Sequence, residues 1–385
     1  MKIITRTIWL LSLVSLFTDL ASEMLYPIMP MYLQSIGFST VLIGILEGIA
    51  EATAGLSKGY FGKLSDATGK RVPFVRFGYS LSAISKPMMA AFAYPLWVLL
   101  ARTTDRLGKG IRTGARDAIL SDESTPENKG RVFGFHRGFD TLGAVLGPLT
   151  ALAFLQIFPG EYRTVFSIAF IPGVMAIALT LIVREKGVGP KPNSSVSWLS
   201  FLHYWKESSA AYRQLLTGLL IFALINSSDI FLLLMIKHRG FDDAHVISAY
   251  VFYNLVYALA SYPMGILGDR IGFRKTFVIG LLLFAVVYAG FAVNRELYVF
   301  YALFFLYGLY AAGTEGISKA WISNICDKKD TATAIGTYSA FQSIAAMLAS
   351  FIAGLIWYFI APPVTFVVTA MGSLALFLYF IRQRI

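Results

Sequence analysis

The chain has 385 residues, of which 56% are hydrophobic and 14% are charged, and its formal net charge is +11. Soluble domains are typically about 45–50% apolar and about 25% charged, so this composition excludes a soluble protein and predicts an integral membrane protein. Apolar runs of about 20 residues, the length that crosses a bilayer as a helix, follow one another along the chain. We predict an all-α protein with twelve spans, at 7–34, 40–62, 73–93, 95–119, 131–157, 163–184, 212–236, 244–267, 275–293, 296–323, 331–360 and 362–381.

The basic residues fall in alternate loops. Lysines and arginines cluster after spans 2, 4, 6, 8 and 10, and the loops between these are poorer in both. Basic loops stay on the cytoplasmic side, so we predict a multi-pass protein of the cytoplasmic (inner) membrane with both termini in the cytoplasm. The positive charge then faces the anionic lipids of the inner leaflet, and nucleic acid is excluded as a partner.

A repeat divides the chain into two halves. A polar stretch that contains GVGPKPNSSVS separates spans 6 and 7. We predict an N-terminal six-helix bundle at 1–185, a cytoplasmic linker at 186–211 and a C-terminal six-helix bundle at 212–385. The segments GKLSDATGKR (62–71) and GILGDRIGFR (265–274) match at an offset of 203 residues, and each follows the second span of its half. Two parallel repeats around a central binding site are a transporter architecture.

These features resemble the major facilitator superfamily over nearly the whole chain. The family pattern Gly-x-x-x-Asp-x-x-Gly-x-Arg/Lys is matched by Gly62, Asp66, Gly69 and Arg71, and again by Gly265, Asp269, Gly272 and Arg274. Arg106-Leu-Gly-Lys-Gly110 in span 4 is similar to another family pattern, and Gly143, Gly147 and Pro148 in span 5 resemble the motif of its proton-coupled antiporters and drug-efflux members. The resemblance implies a transporter rather than an enzyme, a monomer that binds a small molecule, and a proton gradient in place of a cofactor.

The repeated motif also has a physical rationale. Gly62 and Gly69 allow tight helix ends and a sharp turn. Asp66 can lie near the start of a helix from the other half, where the helix dipole favours an anion, and Arg71 can pair with Asp117. The resemblance implies a cytoplasmic latch that holds the outward-facing state and consists of Gly62, Asp66, Gly69, Arg71, Asp117, Asp269 and Arg274. In the alternative, these residues only anchor loops at the lipid headgroups.

Span 4 is unusual because it carries seven charges within residues 99–120. An ionisable side chain at mid-membrane costs at least about 2.5–3.5 kcal/mol, so such residues face a water-filled cavity or a partner. We expect Asp105 and Lys109, four residues apart, to pair on one helix face. Arg112, Arg116 and Asp117 approach the cytoplasmic interface, where we expect them to be solvated.

Other spans carry matching charges, and we predict that they line a polar cavity together with span 4. The first half contributes Asp19, Glu23, Glu47, Glu51, Lys86, Arg102, Asp105, Arg106, Lys109, Arg137 and Asp140. The second half is drier and contributes Asp229, Tyr257, Glu315, Lys319 and Tyr338. In the alternative, the charges form static ion pairs and the tyrosines only pack between helices. No metal is expected, because the histidines are scattered and Cys326 is the single cysteine.

The acids suggest proton coupling, because burial and neighbouring carboxylates both make a carboxyl group hold its proton more tightly. We favour Asp19 and Glu51 for the proton, and Arg106 with Lys109 for an anionic group of the substrate or as counter-ions. The acids and the span 5 motif predict proton-coupled efflux of a cationic or zwitterionic compound. Two alternatives stay open: a proton-coupled carrier of an organic anion or siderophore, and a transporter-like membrane sensor. An enzyme is disfavoured, because no nucleophile, base and orienting group stand together.

Overall fold

The structure, a computed structural model, describes residues 3–26, 28–184, 197 and 200–382. The predicted linker at 186–211 therefore lies partly outside the described residues, as does the GVGPKPNSSVS stretch except for Ser197. All regular secondary structure in the described part is helical, which confirms the predicted all-α class. The helices are α1 (Arg6–Leu25), α2 (Met29–Ser35), α3 (Thr40–Thr68), α4 (Val72–Ala91), α5 (Pro95–Asp122), α6 (Lys129–Ile157), α7 (Tyr162–Ile182), α8 (Tyr204–Glu207), α9 (Ala210–Ile225), α10 (Ile230–His238), α11 (Asp243–Ile271), α12 (Phe273–Val293), α13 (Leu297–Ile325), α14 (Thr331–Phe359) and α15 (Pro362–Arg382).

The helices match the predicted spans in number and order. Nine segments among the described residues are long and apolar enough to cross a membrane: α1, α6, α7, α9 with α10, and α11 to α15. Three further helices, α3, α4 and α5, have 20 residues or more and occupy the positions of predicted spans 2, 3 and 4. These three carry most of the charges that the sequence assigns to the first half.

The first predicted span, 7–34, is interrupted in the structure. Helix α1 ends at Leu25, and the short helix α2 begins at Met29. Pro30 lies in the first turn of α2, where a proline is tolerated because the amide that it lacks would have no partner within the helix.

The seventh predicted span, 212–236, is interrupted as well, between α9 and α10. Serine hydroxyls bond to the backbone there and compete with the helical pattern. The amide of Ser228 donates to Oγ of Ser350 at 3.1 Å, and the amide of Ile230 donates to Oγ of Ser228 at 3.3 Å. A continuous run of apolar residues therefore concealed a break in the middle of a span.

The chain folds as two compact units. Unit 1 contains Met1–Ser124, Phe139–Glu207 and Cys326–Ala340, and unit 2 contains Thr125–Gly138, Ser208–Ile325 and Phe341–Ile385. The first residues of α6 thus pack in unit 2, and the first residues of α14 pack in unit 1. The predicted bundles at 1–185 and 212–385 stay a prediction.

An apolar cluster forms part of the core of unit 1. The rings of Tyr32 on α2 and Phe166 on α7 meet edge to face, with their centroids 4.8 Å apart. Leu25, Leu33 and Leu46 are buried in the same cluster. Its members are all hydrophobic, so the charged side chains of unit 1 gather elsewhere.

Helices α4 and α5 approach each other backbone to backbone. A Cβ atom added at Gly108 would lie 2.5 Å from the carbonyl oxygen of Gly78, and one added at Gly78 would lie 2.6 Å from the carbonyl oxygen of Gly108. Only glycine permits such an approach, which is typical of helix contacts in membranes. The approach brings Lys86 of α4 within reach of Asp105 of α5.

We expect Gly108→Val to lower the free energy of unfolding by about 1–3 kcal/mol, because its side chain would overlap the Gly78 carbonyl and the Ser82 hydroxyl. Reversible unfolding of the purified protein in mixed micelles, followed by tryptophan fluorescence, measures the loss. Gly48→Val is the matched control, since a Cβ atom at Gly48 meets nothing within 4 Å. Equal losses in the two variants would contradict this account of the contact.

Candidate functional site

A buried ion pair between α4 and α5 forms the centre of the charged network in unit 1. The ammonium of Lys86, which is 2% exposed, lies 2.8 Å from Oδ1 of Asp105 and donates to Oγ of Ser22 at 3.1 Å. Nη1 of Arg102 lies 3.9 Å from Oδ2 of Asp105. The prediction that Asp105 pairs with Lys109 is wrong, because the glycine contact places the long side chain of Lys86 beside Asp105.

Two parallel ion pairs join α3 to α5. Arg102 donates from Nε to Oε1 of Glu47 at 2.8 Å and from Nη2 to Oε2 at 2.6 Å, which is the bidentate geometry of a strong pair. One turn further, Nη2 of Arg106 lies 2.9 Å from Oε1 of Glu51. The two acids are four residues apart on α3 and the two arginines are four residues apart on α5. The two ion pairs therefore lie one helical turn from each other. The carboxylate of Glu51 remains 54% exposed.

A pair of carboxyl groups joins α1 to α6. The carboxyl groups of Asp19 and Asp140 are close neighbours. The hydroxyl of Ser15 donates to Oδ1 of Asp140, and Nη1 of Arg116 lies 3.9 Å from the same oxygen. Glu23 is one turn further along α1. Two neighbouring carboxyl groups repel each other when both are ionised, so this pair is the part of the network best suited to hold a proton.

Lys109 differs from the other cations of the network. Its side chain is exposed, and among the residues that the structure describes it makes no ion pair. Its charge acts on Asp19 and on Glu51, which are its acidic neighbours. Lys109 is therefore a positive charge that unit 1 presents to its surroundings.

The charges at the end of α5 are buried, which corrects the expectation that they are solvated. Arg112, Arg116 and Asp117 are 4%, 8% and 1% exposed. The guanidinium of Arg112 stacks on the ring of Tyr79 at 4.4 Å and donates to Oγ of Ser82 at 2.5 Å, and Arg116 pairs with Asp117 at 2.9 Å. Helices α3 and α4 extend alongside this end of α5 and exclude solvent.

The first copy of the repeated motif holds the start of α14 within unit 1. Oδ2 of Asp66 accepts hydrogen bonds from the backbone amide of Thr333 at 2.6 Å and from its hydroxyl at 2.7 Å. Arg71 bonds to Oδ1 of Asp66 at 2.7 Å and to Asp122 at 3.1 Å. A carboxylate in this position satisfies free amides and interacts favourably with the helix dipole.

The second copy repeats this arrangement within unit 2. Oδ1 of Asp269 accepts from the amide of Gly130 at 2.7 Å and Oδ2 from the amide of Arg131 at 3.0 Å, at the start of α6. Arg274 instead donates to the carbonyl of Ile381 at 3.1 Å. A role of either copy in latching an outward-facing state stays a prediction.

The two glycines of the first motif have different roles. Gly69 ends α3 in the left-handed conformation, with φ +65°, as a sharp turn requires. Gly62 does not lie at a helix end, as the sequence suggested, but inside α3. A Cβ atom there would overlap the carbonyl oxygen of Ala332, so the position serves a close helix contact.

The predicted residues of the second half lie in two places. They are joined in unit 2 by Arg137 of α6, which the sequence assigned to the first half. Its Nε donates to the hydroxyl of Tyr257 at 2.5 Å, and its Nη2 lies 3.6 Å from Oε2 of Glu315. Lys319 follows Glu315 by one turn of α13. Tyr338, which is 6% exposed, belongs to unit 1 through the start of α14. The hydroxyl of Tyr253 donates to Oδ2 of Asp229, beside the break between α9 and α10.

Sequence reasoning missed the serines of the network. Ser15, Ser22 and Ser82 each bond to a charged side chain of unit 1. The signal was present, since Ser15 precedes Asp19 by one turn and Ser82 precedes Lys86 by one turn. Across the described ranges, no three His, Cys, Asp or Glu side chains lie so as to hold a metal ion.

The family is decided by comparison with known proteins. The family model for the Major Facilitator Superfamily matches residues 11–255 and 230–384. The chain belongs to the major facilitator superfamily. It is a multi-pass transporter embedded in a membrane and not an enzyme, as its spans and motifs predicted.

Two relatives are similar to this chain in sequence, and one solved structure is similar to it in fold. It is 32% identical over 369 residues to the MFS-type transporter MJ1317 of Methanocaldococcus jannaschii, covering 94% of this chain and 91% of the relative. It is 26% identical over 383 residues to the staphyloferrin B transporter of Staphylococcus aureus, covering 94% and 88%. Its fold is similar to that of the human organic anion transporter MFSD10 (TETRAN), with a TM-score of 0.81, 17% identity, and coverage of 97% and 99%.

Proposed function

We propose that this transporter carries a small organic anion together with a proton, by alternating access in the cytoplasmic membrane. The observation that carries the proposal is Lys109, whose ammonium is exposed and makes no ion pair within the described part of the chain. Arg102, Arg106 and Lys86 are each held by a carboxylate. A charge in a spanning helix is costly without a partner, and an anionic substrate would supply the counter-charge.

The proton belongs, in this proposal, to the Asp19–Asp140 pair. When the pair holds its proton, it carries one negative charge, and when the proton leaves, a second negative charge appears beside Lys109. That charge competes with a substrate anion for the ammonium, because Coulomb interactions are strong where water is scarce. Proton and anion therefore favour each other's binding and travel in the same direction.

The pairing of the acids also favours an anionic substrate over a cationic one. Glu47, Asp105 and Asp117 are each neutralised by a basic side chain, which leaves them unavailable to a cationic substrate. The human protein of similar fold is named an organic anion transporter, and this name supports the same substrate class.

The test is binding and transport by the purified protein. Citrate and succinate serve as anionic probes and tetraphenylphosphonium as the cationic probe, with thermal unfolding measured in detergent and uptake measured in proteoliposomes. We expect the anions to bind, and Lys109→Gln to weaken their binding about 10- to 100-fold, the effect of losing one charge-assisted hydrogen bond. Uptake that dissipates an imposed proton gradient distinguishes a transporter from a sensor.

Two variants make the test specific. Lys109→Arg keeps the charge and is expected to restore most of the binding. Lys275→Gln removes an exposed lysine at the start of α12 and is expected to bind as the wild type does. Anion binding that survives Lys109→Gln unchanged would overturn the proposal.

One observation favours a second function, proton-coupled efflux of a cationic or zwitterionic compound. The carboxylate of Glu51 is 54% exposed although it pairs with Arg106, so a cation could still approach it. Stabilisation by tetraphenylphosphonium that weakens at low pH and disappears in Glu51→Gln would support this function instead.

A further inference from the structure

The break between α9 and α10 in unit 2 gathers buried polar side-chain atoms that make no hydrogen bond of ordinary geometry within the described residues. Oδ1 of Asn226, Oγ of Ser227 and the hydroxyl of Tyr288 are inaccessible to solvent, and none of them makes a hydrogen bond of ordinary geometry with the described residues. Ser227 and Tyr288 are 4% and 0% exposed, and their hydroxyls adjoin each other. Buried polar atoms without partners are rare, and each one calls for an explanation.

The carboxylate of Asp229 lies at the same break. Asp229 precedes the first residue of α10 but does not make the side-chain capping bond that is usual for an aspartate there. One of its oxygens instead accepts from the hydroxyl of Tyr253. The amide nitrogen of Asn226 donates to the hydroxyl of Tyr310 at 3.0 Å, which leaves the amide oxygen as the unused group.

The sign of the charge at this place favours a cation. Helix α9 ends and helix α10 begins at this break, so the partial negative charge of one helix end and the partial positive charge of the other oppose each other, and the carboxylate of Asp229 is the full charge on the residues of the break itself. The side-chain groups at the break are a carboxylate, an amide oxygen and hydroxyl oxygens, and all of these can accept. Oxygen ligands of this kind suit a hard cation with a small charge, and transporters bind such ions where a spanning helix is interrupted.

We propose that the break between α9 and α10 binds an alkali cation, with Asp229, Asn226 and Ser227 as its side-chain ligands and Tyr288 beside them. One carboxylate balances one monovalent charge, so the occupied site is neutral inside the membrane. These residues belong to unit 2, whereas the charged network described above belongs to unit 1. The site would give the transporter a second ion besides the proton.

The test measures thermal unfolding of the purified full-length protein in detergent, with sodium chloride, potassium chloride or choline chloride at equal ionic strength. No organic substrate is present, so the result does not depend on the substrate proposed above. We expect sodium, potassium or both to raise Tm by roughly 2–5 °C over choline, with a saturable dependence on concentration. Comparison of the two salts identifies which alkali ion fits.

Three variants locate the effect. Asp229→Asn is expected to abolish the difference between alkali ions and choline. Ser227→Ala, a smaller change, is expected to raise the half-saturating cation concentration at least threefold and keeps the test decisive if Asp229→Asn fails to fold. Asp242→Asn, at the exposed start of α11, is the control and should respond as the wild type does.

Two outcomes would overturn the proposal. The first is an equal Tm in sodium, potassium and choline, including the case in which stability changes only with pH and the break holds a proton. The second is an alkali response that persists undiminished in both Asp229→Asn and Ser227→Ala, which would place the ion elsewhere.

Discussion

Lys86→Met is expected to lower the free energy of unfolding by about 3–5 kcal/mol, the cost of leaving one member of a buried ion pair without its partner. Lys86 is 2% exposed, and its ammonium lies 2.8 Å from Asp105. After the substitution, Arg102 still lies 3.9 Å from Asp105, but Arg102 is already engaged by Glu47. Reversible unfolding in mixed micelles measures the loss.

The double variant Lys86→Met/Asp105→Leu separates the pair from the site's packing. Replacing both charges by apolar groups of similar size removes the uncompensated carboxylate, so we expect stability within about 1 kcal/mol of the wild type. Lys275→Met, at an exposed position, serves as the control for loss of a lysine. If the double variant is as unstable as Lys86→Met, the buried pair does not explain the loss.

Asp19→Asn is expected to remove the pH dependence of anion binding. An amide at position 19 can still donate to the neighbouring carboxylate of Asp140 but cannot release a proton. For one coupled proton, the affinity of the wild type changes up to about tenfold per pH unit, with tighter binding at the lower pH. We expect the affinity of Asp19→Asn at pH 7.5 to equal its affinity at pH 5.5, as measured by titration of the purified protein with an organic anion whose own charge is the same at both pH values.

Glu23→Gln is the matched control, because Glu23 lies one turn from Asp19 on the same helix. It should keep the pH dependence of the wild type. A pH dependence that is intact in Asp19→Asn and lost in Glu23→Gln would move the proton to Glu23. A pH dependence that is intact in both variants would show that neither Asp19 nor Glu23 carries the coupled proton.

The sequence predicted the helices well and their interruptions poorly. Apolar runs of about 20 residues mark the spans because the bilayer sets their length, and that signal does not depend on neighbouring helices. The break before Ile230 depends on a contact of Ser228 with Ser350, more than a hundred residues away. A local pattern does not contain that partner.

The same distinction applies to the site. The charges and their one-turn spacing on α3 and α5 are visible in the sequence, which is why Glu47, Glu51, Arg102 and Arg106 were all selected. Their partners were not visible, because pairing depends on which helix lies alongside. Lys86 and Asp105 meet because Gly78 and Gly108 let α4 and α5 approach, and the prediction of an intrahelical pair overlooked that contact.

The capping of α14 by Asp66 and of α6 by Asp269 bears on the origin of the chain. Residues 66 and 269 are 203 apart, and so are the capped residues 130 and 333. Helices α6 and α14 therefore occupy corresponding places in the two repeats. Asp66 of the first repeat caps α14 of the second, and Asp269 of the second repeat caps α6 of the first. A chain of half this length could make this bond only with a second copy of itself. The two copies would then exchange the bond reciprocally, as the subunits of an isologous dimer do. The contact has the form expected if two identical subunits were later joined by gene duplication and fusion.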